Sequence, residues 1–124
     1  MPSELYQQAR EKANELFGTP EGDLADLPVD PEDEFSKELL TWVFGYLFTV
    51  RSLIPQKDKV LTVIAMCAAS GKYAMLRRWL VAAHNTGSCY AEVQEVIMTM
   101  TMYGGWPSAR ESLEILAENW PKKA

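Results

Sequence analysis

The feature that most constrains this chain is a run of small residues that passes straight into a second helical pattern. From Ile64 to Gly71 the sequence reads Ile-Ala-Met-Cys-Ala-Ala-Ser-Gly, and a further helical pattern from Lys72 to Asn85 ends at Gly87. Small side chains at Ala65, Ala68, Ala69 and Ser70 let a neighbouring helix approach closely, so a tight helical pair is predicted. The second of the two carries two apolar stripes, Leu76, Leu80 and Ala83 on one and Met75, Trp79 and Ala82 on the other. Two stripes need two apolar partners, and a second subunit is one candidate for the second partner.

Helical periodicity recurs on both sides of this pair, and strand periodicity does not. A first helix is predicted over Ser3 to Phe17, with Ser3 as cap and Leu5, Ala9, Ala13 and Leu16 on one stripe, stopped by Gly18 ahead of Pro20. It should be amphipathic and peripheral. Residues 18–30, rich in acids, Gly and Pro, read as a surface loop, either a connector or a lid. Asp30 suits a cap and Pro31 the first position of a second helix, whose early acids Glu32, Asp33 and Glu34 favour the positive end of its dipole. The later half of that helix, to Val50, is apolar all round and is expected to be buried.

A break at Ser52 to Pro55 precedes the third helix, with Val60, Ile64 and Cys67 on one face. After the fourth, a fifth helix is expected from Ser88 to Gly104-Gly105, with Val93, Val96, Ile97 and Met100 inward. The sixth starts at Pro107, places Ala109, Leu113, Leu116 and Trp120 in line, and is closed by Pro121. The reading is all-α, six helices in a single domain over residues 1–124, a length that buries one core.

Charge and cysteine content narrow the function. The net charge of −5 divides unevenly: residues 1–40 hold eleven acids against three bases, residues 41–124 nine bases against six acids. Phosphate binding wants a basic face, and the scattered Lys and Arg here exclude nucleic acid as the main partner. Cys67 and Cys89 are too few for a disulfide framework, which points to a reducing compartment. No stretch resembles a signal peptide, and no apolar run reaches the roughly 18 residues a membrane helix needs. A cytoplasmic protein is expected, without membrane association.

With the elements placed, the chain resembles the carboxymuconolactone decarboxylase family, relatives of alkylhydroperoxidase D. The resemblance rests on Phe44-Gly45, Ala68-Ala69-Ser70-Gly71, Asn85-Thr86-Gly87, Glu95-Val96, and Tyr103-Gly104-Gly105-Trp106-Pro107-Ser108-Ala109, which follow the family's order without a gap from Phe44 to Ala109. It implies an all-helical fold assembled as a homo-oligomer, a trimer or a hexamer of three dimers, with sites at subunit contacts.

Two positions depart from that pattern. The residue after Phe-Gly is a glutamate in the decarboxylases and Tyr46 here; eight positions before the closing Gly87, where a histidine is usual, stands Trp79. Tyr46 retains a hydroxyl that can donate to a developing oxyanion, whereas the Trp79 indole has only an N–H and cannot act as a base. The peroxidase branch requires Cys-x-x-Cys, and Cys67 is followed by Ser70 and Cys89 by Glu92, so thiol peroxidase chemistry is disfavoured. Cys67 reads first as a small buried hydrophobe. His84, the only histidine, sits where it favours a helix dipole and is otherwise the one group suited to acid–base work. No spacing supplies several converging metal ligands, and no cofactor motif is present.

The catalytic candidates are therefore Tyr46 and His84, with Trp42, Trp79, Tyr103, Trp106 and Cys67 as lining for a planar or lipophilic small molecule. The function expected is a cofactor-free lyase or isomerase acting on a small cyclic or aromatic carbonyl or carboxylate compound. The alternative is a catalytically silent helical oligomer that binds a hydrophobic small molecule or a partner protein.

Overall fold

A computed structural model describes residues 3–22, 30 and 32–121. The backbone forms two compact units, Met1–Gln56 and Lys57–Ala124. Among the described residues every regular element is helical. None of these helices is long and apolar enough to cross a membrane.

In the first unit, α1 (Ser3–Phe17) buries Ala9, Ala13 and Leu16 completely, and Leu5 partly, along the expected stripe. The Ser3 side chain, expected to cap it, lies outside the described residues. The helix is not peripheral within its unit, because it packs against the segment that follows α2. Gly45 explains the close approach: a Cβ there would stand 3.2 Å from the Leu5 side chain and 3.3 Å from its carbonyl oxygen. Chain reversal after α1 uses Gly18 at φ 79°, a conformation that L side chains avoid.

Most of the acidic loop, residues 23–29, and Pro31 lie outside the described residues. The second helix, α2 (Glu34–Leu40), is capped by Asp33 rather than Asp30: the Asp33 carboxylate accepts from the Ser36 N–H at 2.8 Å. Asp30 instead accepts from the Glu32 N–H at 2.9 Å, forming the turn that leads in. Helix α2 then widens into a π-helix over Thr41–Val50, with i→i+5 bonds such as that from the Arg51 N–H to the Tyr46 carbonyl. Thr49 donates its hydroxyl to the Phe44 carbonyl at 2.7 Å, over the same five-residue span.

The all-round burial expected of this segment is corrected. Phe44 and Phe48 are buried and Phe17 meets Phe44 edge-on at 5.9 Å, but Trp42 is 54% exposed, Tyr46 36% and Val50 53%. With residues spaced by four nearly in line, one face packs on α1 and the opposite face has no cover among the described residues of the unit.

In the second unit, α3 (Gln56–Ser70) buries Val60, Ile64, Cys67 and Ala68 and stops at Gly71 with φ 72°. Helix α4 (Tyr73–Asn85) buries Leu76, Leu80 and Ala83 of one stripe and Trp79 and Ala82 of the other, with Met75 half-buried, so most of the second stripe is covered without another subunit. Its main neighbour is α7 (Trp106–Asn119). That helix buries Ser112 and Ile115 beside the expected Ala109 and Leu116, because α5 and α6 also pack on it and widen the covered stripe.

The expected fifth helix is interrupted. It divides into α5 (Tyr90–Thr99), with Val93 and Ile97 buried, and a single turn, α6 (Thr101–Gly104), flattened at Met100 with ψ −10°. Gly104 lies so close to α3 that a Cβ would stand 2.9 Å from the Ala69 Cα. The small-residue end of α3 thus accommodates α6.

Candidate functional site

The π-helix brings two of the candidate residues together. Trp42 and Tyr46, four apart on the uncovered face, stack with ring centroids 5.0 Å apart and planes inclined by 10°. Beyond Tyr46 an open concavity of about 560 Å³ is lined by Tyr46, Val50, Arg51, Ser52 and Leu53. The final π-turn bond, 2.9 Å from the Arg51 N–H to the Tyr46 carbonyl, ties two residues of this wall into one backbone ring. Among the described residues the lining holds one cation, two hydroxyls and two aliphatic side chains.

The remaining candidates belong to the second unit. Trp79 is 3% exposed in the core face of α4, and Cys67 is buried in α3; neither cysteine forms a disulfide. Tyr103, 96% exposed, and Trp106, 64% exposed, project from the turn around Gly104-Gly105 and do not enter the core that holds Trp79. His84 is exposed at the carbonyl end of α4, where its ring meets Trp120 edge-on at 5.4 Å; Tyr90 meets the same indole at 6.2 Å.

A second concavity, about 380 Å³, lies along α3 and α5, with Leu61, Ala65, Val96 and Met100 as apolar lining and Glu92, Glu95 and Thr99 as polar lining. Glu92 is committed to structure there. Its Oε1 accepts from the Cys89 N–H at 2.9 Å, capping α5, and its Oε2 pairs with Lys57 Nζ at 3.0 Å. Those contacts, the Cys89 backbone N–H first, hold its carboxyl below the usual carboxylate range. Among the described residues no three His, Cys, Asp or Glu side chains converge as metal ligands do.

Arg51 and Ser52 are the polar lining residues that sequence reasoning missed, beside the aliphatic Val50 and Leu53. The available signal was positional: Arg51 is the first charged residue after the apolar run from Leu39, where a helix must end and its carbonyls attract a cation. Among comparisons with known proteins, the family model described as the carboxymuconolactone decarboxylase family matches residues 37–118. That stretch runs from α2 into α7 and includes Tyr46, Arg51, Trp79 and His84. No curated protein matches the chain.

Proposed function

Since this chain belongs to the carboxymuconolactone decarboxylase family, we propose that it is a cofactor-free decarboxylase-like enzyme, a lyase or isomerase acting on a small cyclic or aromatic carbonyl or carboxylate compound. The observation that carries this reading is the position of Tyr46, one residue after Phe44-Gly45, with its ring stacked on Trp42 and its side chain in the wall of a concavity.

In such a reaction the bond to the departing carboxylate breaks, carbon dioxide leaves, and the electron pair passes to a carbonyl oxygen as an enolate. Tyr46 donates a hydrogen bond to that oxygen, the interaction that strengthens as charge develops. The carbon then takes a proton from water; His84 is the second candidate proton handler. Isomerisation instead reaches an enolate by removal of a proton to a general base and returns that proton to a different carbon.

Decarboxylation also needs water excluded, and the concavity is open in the single chain. The proposal therefore includes a homo-oligomer, a trimer or hexamer, whose neighbouring protomer covers the site. Exposed Trp42, Val50, Leu53, Met102, Tyr103 and Trp106 supply apolar surface for such contacts. Residues 1–124 are proposed to work as one domain in the cytoplasm; the matched stretch starts in the first unit and ends in the second.

The test is turnover of a panel of small cyclic carboxylates, followed by release of carbon dioxide and by NMR of the product. Tyr46→Phe should lower turnover by about a hundredfold while fold and ligand affinity persist, and His84→Gln should lower it as well. If both variants turn over any accepted substrate at the wild-type rate, the assignment fails. A chain that binds such compounds and converts none is instead a silent binding protein.

A further inference from the structure

We propose that Trp42 is a positioning residue for Tyr46: its indole, stacked on the phenol, holds the hydroxyl in the direction from which it donates to the developing oxyanion. This role rests on the enzyme reading above; the stack itself does not.

The backbone beneath Tyr46 is fixed first. Phe44 is 1% exposed, and a Cβ on Gly45 would stand 3.2 Å from the Leu5 side chain, so the π-helix sits tight against α1 immediately before Tyr46. What remains to be fixed is the side chain. Tyr46 is 36% exposed, and rotation about χ1 carries its hydroxyl, at the far end of the ring, from one staggered well to another. Donation to a developing charge is directional, and a misplacement of about 1 Å among reacting groups can cost about a hundredfold.

Trp42 supplies the restraint. Its ring centroid lies 5.0 Å from that of Tyr46 with the planes inclined by 10°, within the range of the offset stacks that aromatic quadrupoles favour. A pair of this kind favours its own geometry by about two- to tenfold over unstacked alternatives. That margin is enough to populate one orientation of the phenol over the others. Burial is not what the indole contributes, because it is 54% exposed. The role therefore belongs to its aromatic face and not to its bulk.

The test compares Trp42→Leu, which keeps an apolar side chain, with Trp42→Phe, which keeps a ring. Neither empties a core position, and circular dichroism checks the fold. In NMR spectra of the full-length chain the indole ring current displaces the Tyr46 ring protons from their free-tyrosine positions, and Trp42→Leu should return them towards those positions. With the cyclic carboxylate of the panel above that is converted fastest, Trp42→Leu should lower kcat about two- to tenfold and leave KM nearly unchanged, as loss of an interaction made in the transition state does. Trp42→Phe should recover most of that loss. In a Tyr46→Phe background Trp42→Leu should have no further effect, because no hydroxyl is left to aim. Ring protons unmoved by Trp42→Leu, a loss that falls on KM alone, an equal loss of kcat in the Tyr46→Phe background, or no recovery in Trp42→Phe each overturns the role.

The two readings fail separately. Tyr46-dependent turnover that Trp42→Leu leaves unchanged removes only the role of Trp42. Ring protons that respond to Trp42→Leu in a chain that converts no compound, or whose turnover is indifferent to Tyr46→Phe, remove the enzyme reading and leave a stack that restrains the ring with no reaction to serve.

Discussion

The backbone N–H of Arg51 donates to the carbonyl oxygen of Tyr46 across five residues, at 2.9 Å. This bond closes the π-helix and sets a phenol and a guanidinium in one wall. An α-helical turn would shift the position of one relative to the other. π-turns are uncommon and recur at functional sites, and an α-helix would separate these two residues.

Removing that donor should therefore cost more than removing the charge. Arg51→Pro deletes the N–H and restricts Val50, and is expected to destabilise the chain by about 1–3 kcal/mol in urea denaturation. Arg51→Gln, which keeps the N–H, should remain near wild type. Equal stability of the two variants removes the structural role given to the bond.

Glu92 makes stability depend on acid pH. Its folded-state carboxyl titrates below the ordinary value of 4.5, chiefly through the Cys89 N–H and then Lys57. The stabilisation is thus fully present above that ordinary value and is lost as pH falls through the lower folded-state one. Glu92→Gln keeps an acceptor for the Cys89 N–H and loses the charge. The stability gap between wild type and this variant should narrow as the solution is acidified from neutrality; a gap that stays constant contradicts the assignment.

Gly104 is expected to tolerate no side chain. A Cβ there would lie 2.6 Å from the Met100 sulfur and 2.9 Å from the Ala69 Cα, and backbone cannot retreat as a flexible side chain can. Gly104→Ala should cost about 1–3 kcal/mol by thermal or urea unfolding, as overpacking does. Gly18→Ala meets no neighbour within 4 Å, so its cost should come from the φ of 79° alone, about 1 kcal/mol. A smaller loss at Gly104 than at Gly18 would falsify the close approach of α6 to α3.

Ser112 is fully buried in α7, and its hydroxyl has no hydrogen-bond partner among the described residues. Ser112→Ala removes the unpaired group and leaves the backbone unchanged. It should hold stability level or raise it by about 1 kcal/mol. A clear loss in equilibrium unfolding indicates a partner for the hydroxyl in solution.

The proposed assembly gives a concentration test. Light scattering should report a trimer or hexamer, and dilution below its dissociation range should lower activity per protomer as the open concavity loses its cover. A monomer with full specific activity rules this arrangement out.

Most helix ends and buried stripes in the described residues are legible in the sequence. Gly18, Gly71, Gly87 and Gly105 sit at positive φ at helix ends, where the sequence predicted stops, and the 3.6-residue period identified α1, α3 and α4 with their buried stripes. These features arise between residues a few positions apart, and the family resemblance was likewise readable from ordered short motifs. Tyr46 could be named in advance as a candidate for that reason, and Trp42 for its aromatic ring.

The tertiary structure decided which surfaces are covered. Whether the apolar segment 41–50 is wrapped or half bare depends on α1, a distant stretch of chain, and no period within the segment encodes it. The same holds for Trp79, whose burial comes from the packing of α4, for the fifth helix broken at Met100, and for Arg51 beside Tyr46. Hydrophobic pattern measures what a residue gains by leaving water; only the arrangement of other elements determines whether it can.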